Sequence, residues 1–236
     1  MKIICTSLTG SAHQVKNIEC QDVVNSYCDD TFSIIVLSDG AGSKPYALES
    51  ATLLTFETIS YFKSFFTSSH IDFFDSEDFI NYIQRCFQEN GYSPETAGAT
   101  LIFAVVINNR YLIGHMGDGV ALLENNDDFS VISYPENGEY ECETFFFPSE
   151  SAHKHFRTTR GEMGSSGAII LTSDGISDCL YDFNTGRVAN AVKLMVEWAR
   201  DYSEEKCKEV LLNNFRTIFS EYSADDKSVA IICTTE

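Results

Sequence analysis

The sequence predicts an α+β fold with four layers in the order αββα, in which an antiparallel β-sandwich is flanked by helix pairs. Strand-like segments follow one another in long runs instead of alternating with helices, and hairpin-linked strands of this kind form antiparallel sheets. Helical periodicity occurs in two separate regions, each long enough for two helices, which would pack on the outer sheet faces. The length suits one unit, so we expect residues 1–236 to form a single domain.

Nine segments are predicted to be strands because they are rich in Ile, Val, Phe and Tyr and are bounded by turn residues. Asn108 and Asn109 separate two apolar runs and suit a two-residue hairpin turn. Residues 135–167 have little apolar periodicity and are predicted to be a surface loop or flap, interrupted by "ETFFF". The predicted strands are 2–8, 32–38, 100–107, 110–116, 119–123, 129–134, 143–147, 168–173 and 228–234.

Four helices are predicted from apolar residues spaced three and four apart, which places them on one helical face. We interpret each such stripe as a face that packs on the core. The first helix pair precedes the central run of strands, and the second pair precedes the last strand. The stripes are Leu48, Ala51, Ile59, Phe62 and Phe66; Phe79, Ile83 and Phe87; Val188, Val192, Met195 and Ala199; and Cys207, Leu211, Phe215 and Ile218.

The chain is strongly acidic, with 35 Asp and Glu against 16 Lys and Arg and a formal net charge of −19. Phosphate backbones and anionic lipids would be repelled, which argues against nucleic-acid and membrane-surface partners. Two interpretations of the acidity stay open, because it can serve solubility or attract divalent cations.

The eight cysteines contain no CxxC pair, and several lie in apolar patterns where a free thiol acts as a small hydrophobe. We therefore expect reduced thiols. No apolar run approaches the roughly 20 residues of a membrane span, and the N-terminus lacks the apolar stretch of a secretory signal. Together these features favour a cytoplasmic location; a monomer is favoured, although the oligomeric state is open.

Two Asp-Gly pairs follow apolar strands but do not lead into a second strand. Asp39-Gly40 in "SDGAGS" and Asp174-Gly175 in "LTSDGISD" are each followed by helical sequence. An Asp at such a strand-to-helix corner projects from the end of the sheet into a cleft. Capping of the next helix is the simple alternative for one corner, but two near-identical corners favour a shared functional role.

Further carboxylates stand at other strand edges, namely Asp22, Asp118, Asp225 and Asp226. For Asp118-Gly119 a tight hairpin remains an equal alternative, and for Asp225-Asp226 the alternative is a solvated turn. If these groups converge, their like charges need compensation. Oxygen ligands without a cluster of His or Cys suit hard cations, so the sequence predicts Mg²⁺ or Mn²⁺ instead of Zn²⁺.

The blocks "SDGAGS", "GATLIFAVV", "LIGHMGDGVALL", "LTSDGISD" and "DDKSVAIIC" occur in this order and cover nearly the whole chain. They resemble the signature blocks of the metal-dependent protein phosphatases, the protein phosphatase 2C family. "HQVKNIECQD" is similar to the opening block of its bacterial branch. The resemblance implies a β-sandwich flanked by helix pairs, and a catalytic domain that removes phosphate from phosphoserine and phosphothreonine in a phosphorylated protein substrate during signalling.

The resemblance also assigns roles to particular residues. Asp39, Asp174 and Asp225 would be the catalytic metal ligands, with a bridging carboxylate from Asp39 and a backbone carbonyl from Gly40. It implies that two metal ions share a bridging water, which attacks phosphorus without a covalent enzyme intermediate. The remaining implied residues are Asp22, which would hold a metal directly or through water; Asp118, which would help to bind a third ion; and Gln21 and Asp178, which would lie just outside the ligands.

The sequence departs from the family pattern at three places. Gln21 stands where many members have Glu, and Ala41 stands where eukaryotic members have a His proposed as general acid. The Arg that commonly grips phosphate is missing near the first acidic pair. His13 and Lys16 lie there instead, and Arg157 and Arg160 are further candidates; none is a clear replacement, so the phosphate-binding residue stays unassigned.

Two alternatives to a protein phosphatase stay open. A hydrolase of small phosphate esters could use the same metals, and a regulatory or binding protein could keep the fold without turnover. The presence of Asp39, Asp174 and Asp225 argues against the second alternative, whereas the missing Arg argues mildly for it.

Overall fold

A computed structural model describes residues 1–66, 70–138 and 144–235. In these residues, two five-stranded sheets have the strand orders β1-β10-β9-β6-β7 and β2-β3-β4-β5-β8, which we call sheet A and sheet B. All strand pairs in both sheets are antiparallel. The strands are β1 Lys2–Leu8, β2 Asp22–Cys28, β3 Ser33–Asp39, β4 Leu101–Ile107, β5 Arg110–Met116, β6 Val120–Asn125, β7 Asp128–Ser133, β8 Arg157–Glu162, β9 Gly167–Thr172 and β10 Lys227–Cys233.

The described residues also form two pairs of long helices and several short ones. The long helices are α2 Ala47–Phe65 and α3 Ser76–Glu89 on one side, and α6 Asn190–Asp201 and α7 Glu204–Thr217 on the other. The short helices are α1 Ser11–Lys16, α4 Ala152–His155 and α5 Asp174–Ser177, with single 3₁₀ turns at Ile71–Phe73 and Phe219–Glu221. No helix of the described residues has the length and apolar character needed to cross a membrane.

Three apolar cores separate the layers. One lies between the sheets, around residues such as Leu37, Ile102 and Ile232. A second joins α2 and α3 to the outer face of sheet B, where Phe62 and Phe79 are fully buried. The third joins α6 and α7 to sheet A and includes Val192, Met195, Leu211 and Phe215. The four-layer αββα prediction is therefore confirmed.

Sequence patterns missed the two edge strands of sheet B, β2 and β8. An edge strand is only partly covered, so its sequence needs little apolar alternation. β8 reads "RTTRGE" and β2 reads "DVVNSYC", and most of their residues are only half-buried. Because β8 and α4 lie within residues 135–167, the prediction that this region is mostly loop was wrong in its second half.

The predicted strand at 143–147 was also wrong where it is described, residue 143 lying outside the described residues. Thr144 and Phe147 each make only an isolated bridge. The apolar side chains have other packing partners: Phe147 is fully buried, and the Phe145 ring stacks on His155 with centroids 3.5 Å apart. Each of these aromatic residues packs into different surroundings, but together they give the segment a composition typical of a strand.

The remaining boundaries agree closely with the predictions, apart from the ends of three stripes. Phe66 follows α2, Val188 precedes α6, and Ile218 follows α7 and is half exposed. The turn at Asn108 and Asn109 is the expected hairpin, because both residues have positive φ, at 47° and 67°, and join paired strands.

Candidate metal centre

The predicted acidic corners meet at one end of the sandwich. Asp39 is the last residue of β3 and lies opposite Asp22, the first residue of β2. Asp174 follows the end of β9, and Asp225 precedes β10, the antiparallel neighbour of β9. Since antiparallel neighbours end and begin at the same edge, the topology brings these carboxylates together.

Asp118 also lies at this end of the sandwich, but it belongs to a connection between the two sheets. It lies between β5 in sheet B and β6 in sheet A, so its chain segment crosses from one sheet to the other. The alternative of a tight hairpin at Asp118-Gly119 is therefore excluded. Thr144 donates a hydrogen bond to Asp118 Oδ2, while Asp118 Oδ1 is buried without a hydrogen-bond partner among the described residues.

A cavity of about 390 Å³ lies between these strand ends. Oxygen atoms of Asp39, Asp118 and Asp174 lie within 4.8 Å of one another, and Asp225 lines the same cavity. Within the described part of the chain, Asp174 Oδ1 and Gln21 Oε1 are buried without a hydrogen-bond partner. The walls consist of His13, Gln21, Asp39, Gly40, Ala41, Gly42, Ser43, Thr100, Asp118, Thr144, Phe146, Asp174 and Asp225.

Burial and mutual repulsion raise the pKa of these carboxyl groups. Burial and the charges of Asp22 and Asp174 hold the pKa of Asp39 well above its usual range. Burial, with the charges of Asp118 and Asp225, raises the pKa of Asp174 to about 7. The pKa of Asp118 is raised mainly by burial. The protein thus holds several carboxylates where their shared ionisation is unfavourable without a cation.

Asp22 lies apart from the cavity wall. Its side chain is 4% exposed, and burial raises its pKa to about 6. Neither oxygen has a hydrogen bond of good geometry, although the hydroxyls of Ser173 and Ser228 are near enough to oppose that rise. Asp22 therefore adds negative charge next to Asp39 instead of facing the cavity directly.

Asp226 is a buried anchor and not the side chain of a solvated turn. It is only 2% exposed, and its Oδ1 accepts a 2.7 Å bond from the Gly10 amide. Its Oδ2 accepts a 2.6 Å bond from the Gln21 amide and lies 2.9 Å from His13 Nδ1. This carboxylate thus fixes the start of α1, the residue before β2 and the imidazole of His13 against one another.

Asp178 and three of the four basic residues considered for phosphate binding lie outside the wall of the metal cavity. Asp178 is exposed and lines a neighbouring cavity together with Asp118 and Asp174. Lys16 is exposed on α1. Arg157 forms an ion pair with Glu136 at 3.1 Å, and Arg160 donates to the Phe74 carbonyl. Of the four basic candidates for phosphate binding, only His13 lines the metal cavity.

Sequence reasoning missed several residues that shape the cavity. Thr100 accepts a 3.0 Å bond from the Asp39 amide and donates its own amide to the Asp39 carbonyl at 2.8 Å, which fixes the end of β3. Phe146 forms part of the wall, and the Lys44 ammonium lies 5.3 Å from its ring centroid. Thr100 immediately precedes β4 and Phe146 lies in an aromatic run, so neither carried a site signal.

The residues of the cavity fit a hard divalent cation. The three clustered donors are carboxylates, and oxygen donors are those that Mg²⁺ and Mn²⁺ prefer. The buried oxygens without partners and the raised pKa values describe a site that a cation would stabilise. Asp39, Asp174 and Asp118 could hold such an ion together, with Asp225 at the rim.

The fold and this cluster define a class of protein. A family model of protein phosphatase 2C matches residues 9–214, and the chain therefore belongs to the protein phosphatase 2C family. This confirms the resemblance found in the sequence. A search of the curated proteins gave no match to this chain.

Solved structures share the fold at low sequence identity. A C. elegans sex determining protein matches with a TM-score of 0.73 and 15% identity over 98% of this chain, which spans 64% of that chain. A bacterial serine phosphatase has a TM-score of 0.65 and 16% identity, covering 99% of this chain and 97% of its own. RsbX in complex with magnesium has a TM-score of 0.59 and 15% identity, with 97% and 92% coverage. At these identities the likeness establishes the fold alone.

A glycine next to Asp174 allows the two acidic corners to approach. A Cβ on Gly175 would lie 1.9 Å from the Asp226 carbonyl oxygen. We expect Gly175→Ala to destabilise the protein by about 3 kcal/mol and to weaken Mn²⁺ binding, measured by urea denaturation and calorimetric titration. Gly91→Ala is the control: Gly91 has a φ of 75° in open surroundings, so it should cost only about 1 kcal/mol. Equal effects of the two variants on Mn²⁺ affinity would contradict the prediction.

Proposed function

We propose that this protein is a Mg²⁺- or Mn²⁺-dependent serine/threonine phosphatase that hydrolyses phosphomonoesters on protein substrates in the cytoplasm. The observation that carries the proposal is the cavity in which Asp39, Asp118 and Asp174 share one small space with their charges uncompensated. Membership of the protein phosphatase 2C family supports phosphatase activity. The similar bacterial serine phosphatase and the magnesium-bound RsbX support the substrate class and the metal.

The side chains of the cavity would hold the cofactor and confine the substrate. Asp39, Asp174 and Asp225 would be ligands together with the Gly40 carbonyl, and Asp118 would serve a further ion. When bound, two such ions supply an activated water at neutral pH and positive charge opposite the phosphoryl oxygens. Asp22, buried next to Asp39, would increase the negative charge that attracts cations.

His13 is the group that we assign to phosphate. Among the described residues of the cavity wall, it is the one side chain that can carry a positive charge. Its Nδ1 is held 2.9 Å from the buried Asp226 carboxylate, so that with both ring nitrogens protonated Nε2 can donate to a phosphoryl oxygen. Asp226 would thus orient the ring, as a carboxylate behind an imidazole does in other sites.

Replacement of His13 tests this assignment. We expect His13→Ala to raise the KM for p-nitrophenyl phosphate by about tenfold or more, since a charge-assisted hydrogen bond contributes about 1.5–3 kcal/mol. Lys16→Ala is the matched control, because Lys16 lies on the same helix but is exposed. Steady-state kinetics with equal KM values in both variants would contradict the role of His13.

The direct test of the proposed function is metal-dependent hydrolysis. Purified protein should release p-nitrophenol from p-nitrophenyl phosphate with Mn²⁺ or Mg²⁺, and chelation by EDTA should stop it. Phosphothreonine peptides should be hydrolysed with a higher kcat/KM than p-nitrophenyl phosphate; the reverse order would favour an esterase of small phosphates. Absence of both turnover and metal binding would favour a non-catalytic regulatory protein of the same fold.

A further inference from the structure

We propose that the chain flanking the phosphorylated residue of a substrate binds in a groove that leads from the metal cavity past Tyr222 to Phe183. We further propose that this groove favours basic side chains in the substrate. The inference rests on the proposed phosphatase function and extends it to how a protein substrate is recognised. The groove is defined from the described residues alone.

The groove is continuous with the metal cavity. A second cavity of about 310 Å³ shares Asp118 and Asp174 with the metal cavity. A third cavity of about 690 Å³ shares Pro135, Asn137 and Asp178 with the second. Shared walls join the three cavities side by side. A small phosphate ester would fill only the first, whereas an extended peptide could continue through the others.

Two aromatic side chains are exposed along this groove. Tyr222 lines the second cavity and Phe183 lines the third, and each is 72% exposed. Large aromatic rings are the side chains that most often anchor a partner at an interface. Neither ring packs into a core of the described residues, so both are available to a bound peptide.

Phe183 is held by an ordered turn. Asp182 Oδ1 accepts bonds from the amide and the hydroxyl of Thr185, at 2.8 and 2.9 Å. The Asp182 amide donates to the Arg187 carbonyl at 2.9 Å, and the Gly186 amide donates to the Asp182 carbonyl at 2.8 Å. A ring presented on a fixed turn loses less conformational freedom on binding than one on an unstructured loop.

The groove carries a net negative charge. Asp178 and Asp182 line the third cavity together with a single basic residue, Arg187. The bonds from Thr185 lower the pKa of Asp182, so that this carboxylate is charged at neutral pH. Two carboxylates against one guanidinium leave this wall negative. Lysine or arginine in the substrate would therefore be favoured over glutamate or aspartate.

The test compares a small substrate with peptides in one pair of matched variants. Phe183→Ala removes the ring in the groove; Phe73→Ala removes a ring that is 70% exposed in the 3₁₀ turn between α2 and α3. Initial rates with Mn²⁺ would be measured for p-nitrophenyl phosphate and for two phosphothreonine peptides, one flanked by lysines and one by glutamates. We expect Phe183→Ala to lower kcat/KM for the lysine peptide about tenfold, and to leave p-nitrophenyl phosphate hydrolysis unchanged.

The outcomes separate this inference from the proposed function. Wild-type protein should prefer the lysine peptide, and Phe73→Ala should behave as wild type with every substrate. Hydrolysis of all three substrates with no difference between Phe183→Ala and Phe73→Ala would overturn the groove and leave the phosphatase function standing. A preference for the glutamate peptide would overturn the charge argument. No hydrolysis by the wild-type protein would overturn the proposed function, and the inference with it.

Discussion

Asp39→Asn should abolish Mn²⁺-dependent hydrolysis of p-nitrophenyl phosphate, with a loss of about 10³-fold or more. Asp39 is the carboxylate whose pKa burial and four neighbouring carboxylates raise, so it lies at the centre of the cluster. An amide keeps the shape and the backbone contacts with Thr100, but it removes the charge that a divalent cation needs. The measurement is the initial rate over a range of Mn²⁺ concentrations.

The unfolding temperature of the Asp39→Asn variant provides a second measurement for this prediction. Because Asp39→Asn removes one of several repelling charges, the metal-free variant should unfold at a temperature equal to or above that of the wild type. Asp30→Asn is the matched control, since it makes the same change at an exposed turn between β2 and β3. Full activity of Asp39→Asn, or a loss of activity explained by unfolding, would contradict the assigned role.

Mn²⁺ should raise the melting temperature of the wild-type protein, and the increase should widen with pH. At a concentration 100-fold above its Kd, a ligand adds about 2.7 kcal/mol of stability, or about 5–10 °C for a chain of this size. The pKa of Asp22 is raised to about 6 and that of Asp174 to about 7. Differential scanning fluorimetry with Mn²⁺ and with EDTA measures the difference.

The sign of the pH dependence follows from these raised values. A group whose folded pKa lies above its unfolded value near 3.9 contributes stability that is present below that value. This contribution is lost as the pH rises through the folded pKa. The metal-free protein should therefore lose stability as the pH rises from about 4, the unfolded value, to about 6 for Asp22 and about 7 for Asp174. Bound Mn²⁺ compensates the same charges, so a shift in melting temperature that shrinks from pH 5.5 to 7.5 would contradict the site.

Much of the site could be predicted from the sequence, because its carboxylates lie at strand ends that are marked by turn residues. Asp39 and Asp174 follow buried strands, and each Asp-Gly leads into helical sequence. β3 lies in sheet B and β9 in sheet A, and both strands end at the same end of the sandwich, which brings the two carboxylates together. The layered fold could be predicted for the same reason, since the buried strands and helix stripes carry strong apolar patterns.

Other features depend on contacts between distant segments, which one sequence does not reveal. The pairing of His13 with Asp226 joins residues 213 positions apart, and the burial of Asp226 is set by the amides of Gly10 and Gln21. Edge strands such as β8 need little apolar pattern and were missed. The groove at Phe183 depends on a turn that brings an exposed ring next to Asp178, and neither residue alone signals a surface.

The most direct test of the account is a crystal of the protein soaked in Mn²⁺, measured for anomalous scattering. We expect a manganese peak within coordination distance of the carboxylates of Asp39 and Asp174, in the cavity that Asp118 and Asp225 also line. A peak at a different cluster, or the absence of any peak in a cavity whose carboxylates remain together, would contradict it.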